Sequence, residues 1–518
     1  MRYFVLICVF ITALVLSIAI IPDAESRPGG GSSFRSSSRG GGGGGSSSRG
    51  SSGGGGSSYR GSSGGGGVYH YSGNGDAVVG YIAIGLIGFM FVCYVIGWIR
   101  KGQSSPTSSI SSAPYRDDQK RQQENAENKL RAIYATDPNF SKILFLDFVH
   151  LIYYQLQLRR SKVKEMKGLA PYFSPNELQA AIDADKRPIT VNEVVIGAMR
   201  ISDYYNQQNQ DIIIVEIDAN YTITAGNNST RYLVIERWGF SRKRGVLSKA
   251  PEHLQDLECP NCSAPLAVNS DTGQCGHCSA VVEAGDKDWK VFRRALVHTE
   301  TTGTEQLGAS VAEEGTDLKT IYQSNVQQLT NQFATKHNVN PREYLDTFFE
   351  KIVRPVFKSL YDSWSNQKWE QARPFMSDNL FRSHYYWIQA YKNQGVVNKL
   401  DDAKITKVEL VKVEVDKFYE CFTVRVFASA IDYAIDRNGK LIGGDKNKSR
   451  KFSEYWTFIR RTGVTKTEEQ FNPNACPNCG APVDMGQAGV CNYCNSKVTT
   501  GNFNWVLAVI TQDEVYLG

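Results

Sequence analysis

The sequence predicts an α+β protein that contains two copies of one domain, an interpretation based on three observations. A four-cysteine cluster occurs twice, at residues 259–278 and 476–494. A Trp-x-Phe-x-Arg segment precedes each cluster, and a short apolar segment that opens with tryptophan follows each. In both halves helical patterns come before strand-like patterns, which is typical of helices packed on one face of a curved, mostly antiparallel sheet. Recurrence of the whole order predicts a tandem duplication.

Length, charge and cysteine content narrow the class of protein. A chain of 518 residues has room for two to four domains. The net charge of +6 suits contact with anionic membrane surfaces or acidic partners, and it does not demand nucleic acid. Eight of the eleven cysteines belong to the two clusters, whereas Cys8, Cys93 and Cys421 lie elsewhere. Eight paired thiols could bind metal ions or form disulfides, and the redox state of the compartment decides between these two possibilities.

The N-terminal part of the chain predicts a signal peptide and a membrane anchor. Residues 1–26 combine an apolar run with a small-residue cleavage site, which is typical of a signal peptide. Residues 77–99 carry no charge and are long enough to span a bilayer as a helix, and Arg100 and Lys101 follow directly. Positive residues stay on the cytoplasmic side, so the C-terminal domains are expected in the cytosol. The predicted location is the inner (cytoplasmic) membrane, single-pass after signal cleavage. An uncleaved signal gives a two-helix hairpin with the same cytosolic part.

The other domain boundaries follow changes in composition. Residues 27–76 are rich in Gly and Ser and cannot bury enough apolar surface to offset the entropy of ordering, so a disordered segment is predicted. Its arginine–glycine tracts are also typical of RNA binding, an interpretation that the preceding signal peptide disfavours. A linker and a lead-in helix are predicted at residues 100–136. The two domains are predicted at residues 137–298 and 339–511, joined by residues 299–338, with metal-binding inserts at 257–284 and 474–499.

Each predicted domain begins with helices and continues with strands. Asp137, followed by proline, is expected to cap a long first helix, and Pro175 opens a short second helix through Ala184. In the second domain the long helix starts at Asn340, which also precedes a proline. Strands are predicted at residues 189–201, 211–224, 232–241 and 289–297, and again at 405–415, 419–433, 455–459 and 505–510.

The cysteine clusters predict two structural zinc sites. Each cluster consists of two Cys-x-x-Cys turns, separated by twelve residues in the first and eleven in the second. Zn²⁺ takes four thiolates in a tetrahedron and then has no open position, so the ions are expected to be structural. A reducing cytosol disfavours disulfides, and the βαβ context of a Cys-Pro-x-Cys redox motif is missing. The predicted ligands are Cys259, Cys262, Cys275 and Cys278 for one ion, and Cys476, Cys479, Cys491 and Cys494 for the other.

The Trp-x-Phe-x-Arg strands carry a candidate pocket. With a strand period of two, the glutamate, tryptophan and phenylalanine of each copy share one face. Such a face suits the wall of an apolar pocket with a polar rim, and it equally suits core packing between sheet and helices. The glutamates could act as general bases, although a glutamate near a following arginine is more often an ion pair. The candidate pocket residues are Glu236, Trp238, Phe240, Glu454, Trp456 and Phe458.

These motifs resemble a known family. A long first helix, a short second helix led by proline and a Trp-x-Phe-x-Arg strand are similar to the C-terminal domain of Tim44, the mitochondrial import-motor tether, over residues 137–298 and 339–511. The resemblance implies two cone-like domains with the nuclear-transport-factor-two fold, each interrupted by a zinc ribbon. It also implies a non-catalytic, membrane-proximal scaffold that contacts lipid or membrane-protein partners and assists protein translocation or membrane assembly. The ribbons and the tandem arrangement depart from the family pattern, which puts chaperone recruitment in doubt.

Alternative functions follow from the same features. The cone fold also hosts isomerases and dehydratases, so a small-molecule or lipid carrier, or an enzyme using Glu236 or Glu454, is the first alternative. No phosphate-cradling glycine motif, nucleophile elbow or open metal site supports catalysis, so no enzyme activity is predicted. A nucleic-acid-binding zinc-ribbon protein is the second alternative. The ribbon loops carry few basic residues, so no nucleic-acid partner is expected.

A basic cluster at the end of the first long helix is the candidate membrane surface. Near an anionic leaflet each lysine or arginine contributes about 1 kcal/mol. The alternative is a solvated helix end that the helix dipole favours. The cluster consists of Arg159, Arg160, Lys162, Lys164 and Lys167.

Overall fold

In the computed structural model the second half of the chain, and most of the first domain, are described. The described residues are 112–185, 187–250, 268–269, 274–275, 288–302, 316–464, 468, 471–483, 485, 488–513 and 515–518, with side chains from residue 119 onward except in the pair 268–269 and 274–275. The predicted signal peptide, Gly/Ser-rich segment and membrane-spanning helix lie outside these residues. Among the helices that are described, none is both long enough and apolar enough to cross a bilayer. We call residues 112–302 the first half and residues 316–518 the second half.

The first half opens with four helices. They are α1 (Ser112–Leu130, continued by a 3₁₀ turn at Arg131–Ala135), α2 (Lys142–Arg159), α3 (Val163–Lys167) and α4 (Pro175–Ala184). The prediction of α4 is confirmed, with proline in its first turn.

The start of α2 differs from the prediction. Ser141 caps the helix, since its side chain accepts a hydrogen bond from the backbone N–H of Leu144 at 3.3 Å. Asp137 is instead fully buried and accepts a hydrogen bond from Arg242 at 2.7 Å. A buried guanidinium requires a counter-charge, and this requirement decides where Asp137 lies.

The first sheet has four antiparallel strands in the order β1-β2-β3-β6. Register shifts between β1 and β2, such as those at Asn192/Val195 and Ile201/Asp203, are bulges that bend the sheet. Between β3 and β6 the short strands β4 and β5 pair as a hairpin inside the predicted insert. The strands are β1 (Thr190–Gln207), β2 (Gln210–Ala225), β3 (Asn228–Lys243), β4 (Val268–Asn269), β5 (Gln274–Cys275) and β6 (Lys290–Thr302).

The second half also begins with helices. The predicted start at Asn340 is confirmed, because its side chain accepts hydrogen bonds from the backbone N–H groups of Arg342 and Glu343. The helical path runs on through a π turn at Phe349–Val353, and a 3₁₀ segment at Trp369–Phe375 leads to the last helix. The helices are α5 (Val326–His337), α6 (Pro341–Phe348), α7 (Arg354–Ser365) and α8 (Asp378–Gln394).

The second sheet repeats the strand order of the first, as β7-β8-β9-β10, again antiparallel throughout. Its strands are β7 (Val396–Val415), β8 (Tyr419–Asp436), β9 (Leu441–Arg461) and β10 (Val506–Gln512). Strand β9 begins at Leu441, well before the predicted residue 455. The prediction missed this first part because residues 441–451 are mostly exposed on both faces and carry no alternating apolar pattern. The α+β class is confirmed.

Each half has its own hydrophobic core between helices and sheet, and a smaller cluster joins the halves. Leu144 of α2 packs there with Tyr419 and Cys421 of β8, Ile459 of β9 and Val506 of β10. Helix α2 therefore lies between its own sheet and the second one.

Candidate metal centre

The second cysteine cluster occupies the connection between β9 and β10. Its two Cys-x-x-Cys turns have the same backbone hydrogen bonds. Cys476 accepts from the N–H of Gly480 at 2.9 Å and donates to Ala481 O at 2.7 Å, and Cys491 accepts from Asn495 at 2.9 Å and donates to Ser496 O at 3.0 Å. Both turns require a left-handed residue, which Gly480 (φ 76°) and Asn495 (φ 54°) supply.

The four sulfur atoms lie close together at the meeting point of the turns. All four are within 4.8 Å of one another, with Cys476 Sγ 3.9 Å from Cys494 Sγ and Cys479 Sγ 4.0 Å from Cys491 Sγ. A disulfide needs about 2.05 Å, so these cysteines are not bridged. Sulfurs placed about 2.3 Å from one Zn²⁺ would be about 3.8 Å apart at the edges of a tetrahedron. The cluster is a possible metal site whose geometry is compatible with zinc.

The surroundings of the sulfurs favour thiolates on one side and exclude water on the other. The hydroxyl and backbone N–H of Ser496, and the amide of Asn478, lower the pKa of Cys494 to about 6. Cys476 and Cys491 are buried and pack with Val498. Thiolates are the metal-binding form of cysteine, and four of them leave no position for a substrate. The donor set is therefore that of a structural site.

Asp378 connects the start of α8 to residues 474–499, the segment that we call the metal loop. Lys497 Nζ lies 2.6 Å from one carboxylate oxygen of Asp378, and Thr499 donates its hydroxyl hydrogen to the other at 3.0 Å. Arg373 pairs with the same carboxylate. Burial alone would raise the pKa of Asp378, but Arg373 and Lys497 hold it below its usual range. The carboxylate therefore stays charged and connects helix, core and loop.

Gly489 shows how closely the loop sits on the domain. Its φ is +70°, and a Cβ at this position would come within 2.6 Å of both Arg373 Nη2 and a Thr499 side-chain atom. A larger residue would separate the loop from Arg373. Sequence reasoning identified the ligands but missed the contacts of Asp378, Lys497 and Gly489, because 119 residues separate Lys497 from Asp378 along the chain.

The first cysteine cluster lies mostly outside the described residues. Cys259, Cys262 and Cys278 lie outside the described residues, and only the backbone of Cys275 is described, in β5. Its metal site stays a prediction.

The six candidate pocket residues lie in the two main cores. Trp238, Phe240, Trp456 and Phe458 are fully buried there. Each tryptophan donates its indole N–H to the glutamate two positions earlier, to Glu236 at 2.7 Å and Glu454 at 2.9 Å.

The second oxygen of each glutamate is also engaged, by Tyr153 in the first half and by Gln512 in the second, both at 3.1 Å. The glutamate and tryptophan on this strand face therefore make equivalent hydrogen bonds in the two halves. A binding role for these residues stays a prediction.

The arginine of each motif pairs with acids from other elements. Arg242 bonds to Asp137, whereas Arg460 bonds to Glu420 at 2.9 Å and Glu468 at 2.7 Å. Each guanidinium also covers a tryptophan that opens the last apolar segment. The distance to the ring centre is 4.4 Å for Arg242 over Trp289 and 4.6 Å for Arg460 over Trp505.

The candidate membrane surface is only partly directed to solvent. Arg160 makes a bidentate pair with Asp185 at 2.7 and 2.8 Å, so it is committed within the first half. Arg159 is half-buried and donates to the backbone of Glu165. The exposed members are Lys162, Lys164 and Lys167.

Comparison with known proteins identifies one region of the chain. Residues 332–471 match the family model of the Tim44-like domain. The match begins within α5 and ends after β9, so the cysteine loop and β10 lie beyond it. No curated protein matches the chain. The second half thus contains a Tim44-like domain, and its helices and antiparallel sheet are consistent with that fold.

Proposed function

We propose that the protein is a membrane-anchored, non-catalytic scaffold that contacts lipid or membrane proteins and assists protein translocation or membrane assembly. The Tim44-like domain at residues 332–471 carries this proposal. The metal loop supports it, because the loop contacts the matched domain through Asp378 and adds a surface next to it.

The first half is proposed to be a second Tim44-like domain, which makes a tandem pair of cone-like domains. Its support is a set of equivalent contacts in the two halves. Ser174 N–H donates to Val291 O at 2.8 Å, and Ser377 N–H donates to Leu507 O at 2.9 Å, so the segment before α4 or α8 meets the last strand of each sheet in the same way. The Trp–Glu bonds and the Arg–Trp stacks repeat as well.

Two structural zinc ions, one in each insert, complete the proposal. The sulfur separations of 3.9 and 4.0 Å in the second cluster support one of them. The repeated Cys-Pro-Asn-Cys sequence at residues 259–262 and 476–479 supports the other. Gently purified protein should contain about two zinc ions per chain. Loss of one ion in a Cys479→Ser variant and of both in a Cys262→Ser, Cys479→Ser variant would assign them.

The anchor and the lipid contact rest on the sequence. The apolar residues 77–99 and the flanking Arg100 and Lys101 support a single span at the inner membrane, with both domains in the cytosol. The exposed lysines at the end of α2 and in α3 support a contact with anionic headgroups.

Affinity purification of the full chain from its native membranes tests the scaffold role. We expect a membrane protein to co-purify with the wild type and to be reduced in a Cys476→Ser, Cys479→Ser variant. A Tyr493→Phe variant is the matched control, because Tyr493 is 60% exposed within the same loop and supplies no sulfur. A chain that extracts as a soluble protein, or that purifies with a small molecule and without a membrane protein, would contradict the proposal.

A further inference from the structure

The end of the β8–β9 hairpin extends beyond the second core. The side chain of Asp436 fixes the turn, since it accepts hydrogen bonds from the N–H groups of Asn438 at 2.8 Å and Lys440 at 2.9 Å. Leu441 and Ile442 follow immediately and are 42% and 36% exposed. Two adjacent strand residues point to opposite faces, so the tip presents an aliphatic side chain on each side. Buried packing does not account for them.

Exposed cations lie at the turn and along the β9 strand of this hairpin, with Lys451 opposite Ser429 and therefore farthest from the tip. Within residues 437–451 five basic side chains are exposed, against one exposed carboxylate, Asp445. Arg450 is engaged by Asp432 within the sheet. The ammonium group of Lys446 lies 5.3 Å from the centre of the Tyr433 ring and makes a cation–π contact on the hairpin. The exposed cations are Arg437, Lys440, Lys446, Lys448 and Lys451.

The corresponding hairpin of the first half lacks both features. Between β2 and β3 residues 222–230 contain no charged side chain, and the turn at Gly226 and Asn227 is followed by polar residues. The next cation, Arg231, pairs with Glu193 at 3.3 Å and covers the ring of Tyr386. The basic, aliphatic-tipped end therefore belongs to one hairpin and is not a requirement of the fold.

We propose that the β8–β9 hairpin end, residues 437–451, docks on an anionic lipid bilayer. Leu441 and Ile442 would enter the interface between headgroups and acyl chains, and Lys440, Lys446 and Lys448 would pair with lipid phosphates. Charge complementarity selects an anionic partner, and the aliphatic tip selects a bilayer over a nucleic acid, whose phosphates offer these side chains no apolar contact. The inference rests on the proposed membrane location and adds a second contact surface to that of Lys162, Lys164 and Lys167.

Site-specific photo-crosslinking in the full chain tests the contact. A benzophenone amino acid is placed at Ile442, at Asn227 of the first-half hairpin as the matched control, and at Met90 of the predicted span as the positive control. The protein is reconstituted in vesicles of phosphatidylcholine with or without phosphatidylglycerol. We expect lipid adducts from position 90 in both vesicles, from position 442 mainly with phosphatidylglycerol, and none from position 227.

Charge variants separate the hairpin from the other lysine cluster. In the chain labelled at position 442, replacing Lys440, Lys446 and Lys448 by glutamine should lower the phosphatidylglycerol adduct by up to about fivefold for each lysine removed. Replacing Lys162, Lys164 and Lys167 by glutamine should change it much less.

The possible failures can be told apart. Adducts from position 90 with none from position 442 overturn the hairpin contact and leave the anchor intact, whereas no adduct from position 90 refutes the proposed membrane location itself. Equal adducts in both vesicle types, or adducts from position 442 to protein or RNA in native membranes, also overturn the inference.

Discussion

The two halves share their backbone arrangement and differ in how they balance the same buried charge. In each half an arginine of the Trp-x-Phe-x-Arg strand covers a tryptophan from the last apolar segment. Arg242 is paired with Asp137, which precedes α2, whereas Arg460 is paired with Glu420 of β8 and with Glu468. The strand fixes where the cation lies, and the surrounding elements are free to supply its counter-charge. Two sheets with the same strand order therefore carry different ionic networks.

The second network is also the larger one. Glu420 accepts from Lys336 at 2.9 Å and lies 2.6 Å from His337 Nε2, while Glu468 accepts from the Trp505 indole at 2.8 Å. Helix α5 is connected to the second sheet in this way. In the first half Ser248 contributes its backbone and hydroxyl hydrogens to Asp137 instead. Redundant acids around Arg460 make each acid less important than Asp137 is for Arg242.

Removing the metal is expected to have the largest effect. Structural zinc contributes about 10–16 kcal/mol of apparent binding free energy in small metal-folded units. A strong chelator, or Cys479→Ser, should therefore release residues 474–499 while the sheets persist. Hydrogen–deuterium exchange should show a loss of protection of several orders of magnitude in this loop. If the halves are equivalent, residues 257–284 respond to the chelator in the same way. Unchanged protection of residues 474–499 after chelation would contradict the metal assignment.

Neutralising the counter-charge of the motif arginine should have the next largest effect, and a different one in each half. Asp137→Asn leaves the buried Arg242 uncompensated and should lower the free energy of unfolding by about 3–5 kcal/mol. Glu468→Gln leaves Glu420 in place and should cost about 1.5–3 kcal/mol. Urea titrations of both variants measure the difference. Equal losses would show that the acids around Arg460 are not redundant.

Acid should weaken the contact between the halves. Lys412 of β7 lies 3.3 Å from Glu127 of α1, and Lys142 lies 2.6 Å from the same carboxylate. Burial alone would raise the pKa of Glu127, but these two ammonium groups lower it to about 2. A lowered folded-state pKa gives stability that is complete above the ordinary glutamate pKa and is lost as the pH falls toward 2.

The shift corresponds to at most about 3 kcal/mol. Urea titrations of wild type and Glu127→Gln between pH 5 and pH 2 should differ most at pH 5 and converge at pH 2. If the free energies of unfolding of the two proteins differ by the same amount at every pH, Glu127 is not the titrating group.

Much of the fold and of the metal site could be predicted from local patterns. Pro175 and Asn340 mark helix starts because proline and asparagine act on adjacent backbone groups, and the cysteine spacing is itself a local property. The prediction that Asp137 caps α2 was wrong because the partner of Asp137, Arg242, lies 105 residues away along the chain. Helix α5 was missed because its sequence is mostly polar and offers few apolar residues, of which Phe333 and Ala334 are buried.

The smallest expected effect concerns the contact that joins the metal loop to α8. Lys497 and Asp378 are about one-quarter and one-third exposed, so solvent screens their attraction. Lys497→Met should therefore cost about 1 kcal/mol or less, since Thr499 and Arg373 still hold the carboxylate. The effect should appear in the loop and not in the global unfolding transition.

Exchange rates of residues 488–499 should rise about fivefold, which corresponds to that free energy. Lys358→Met is the control, because Lys358 forms an exposed pair with Asp362, 77% and 59% accessible, on the solvent side of α7. If both variants leave the loop unchanged, shape complementarity around Gly489 holds the loop, and the charge of Asp378 serves the helix start alone. A Gly489→Ala variant then distinguishes the two causes, because its Cβ would push the loop from Arg373 without altering any charge.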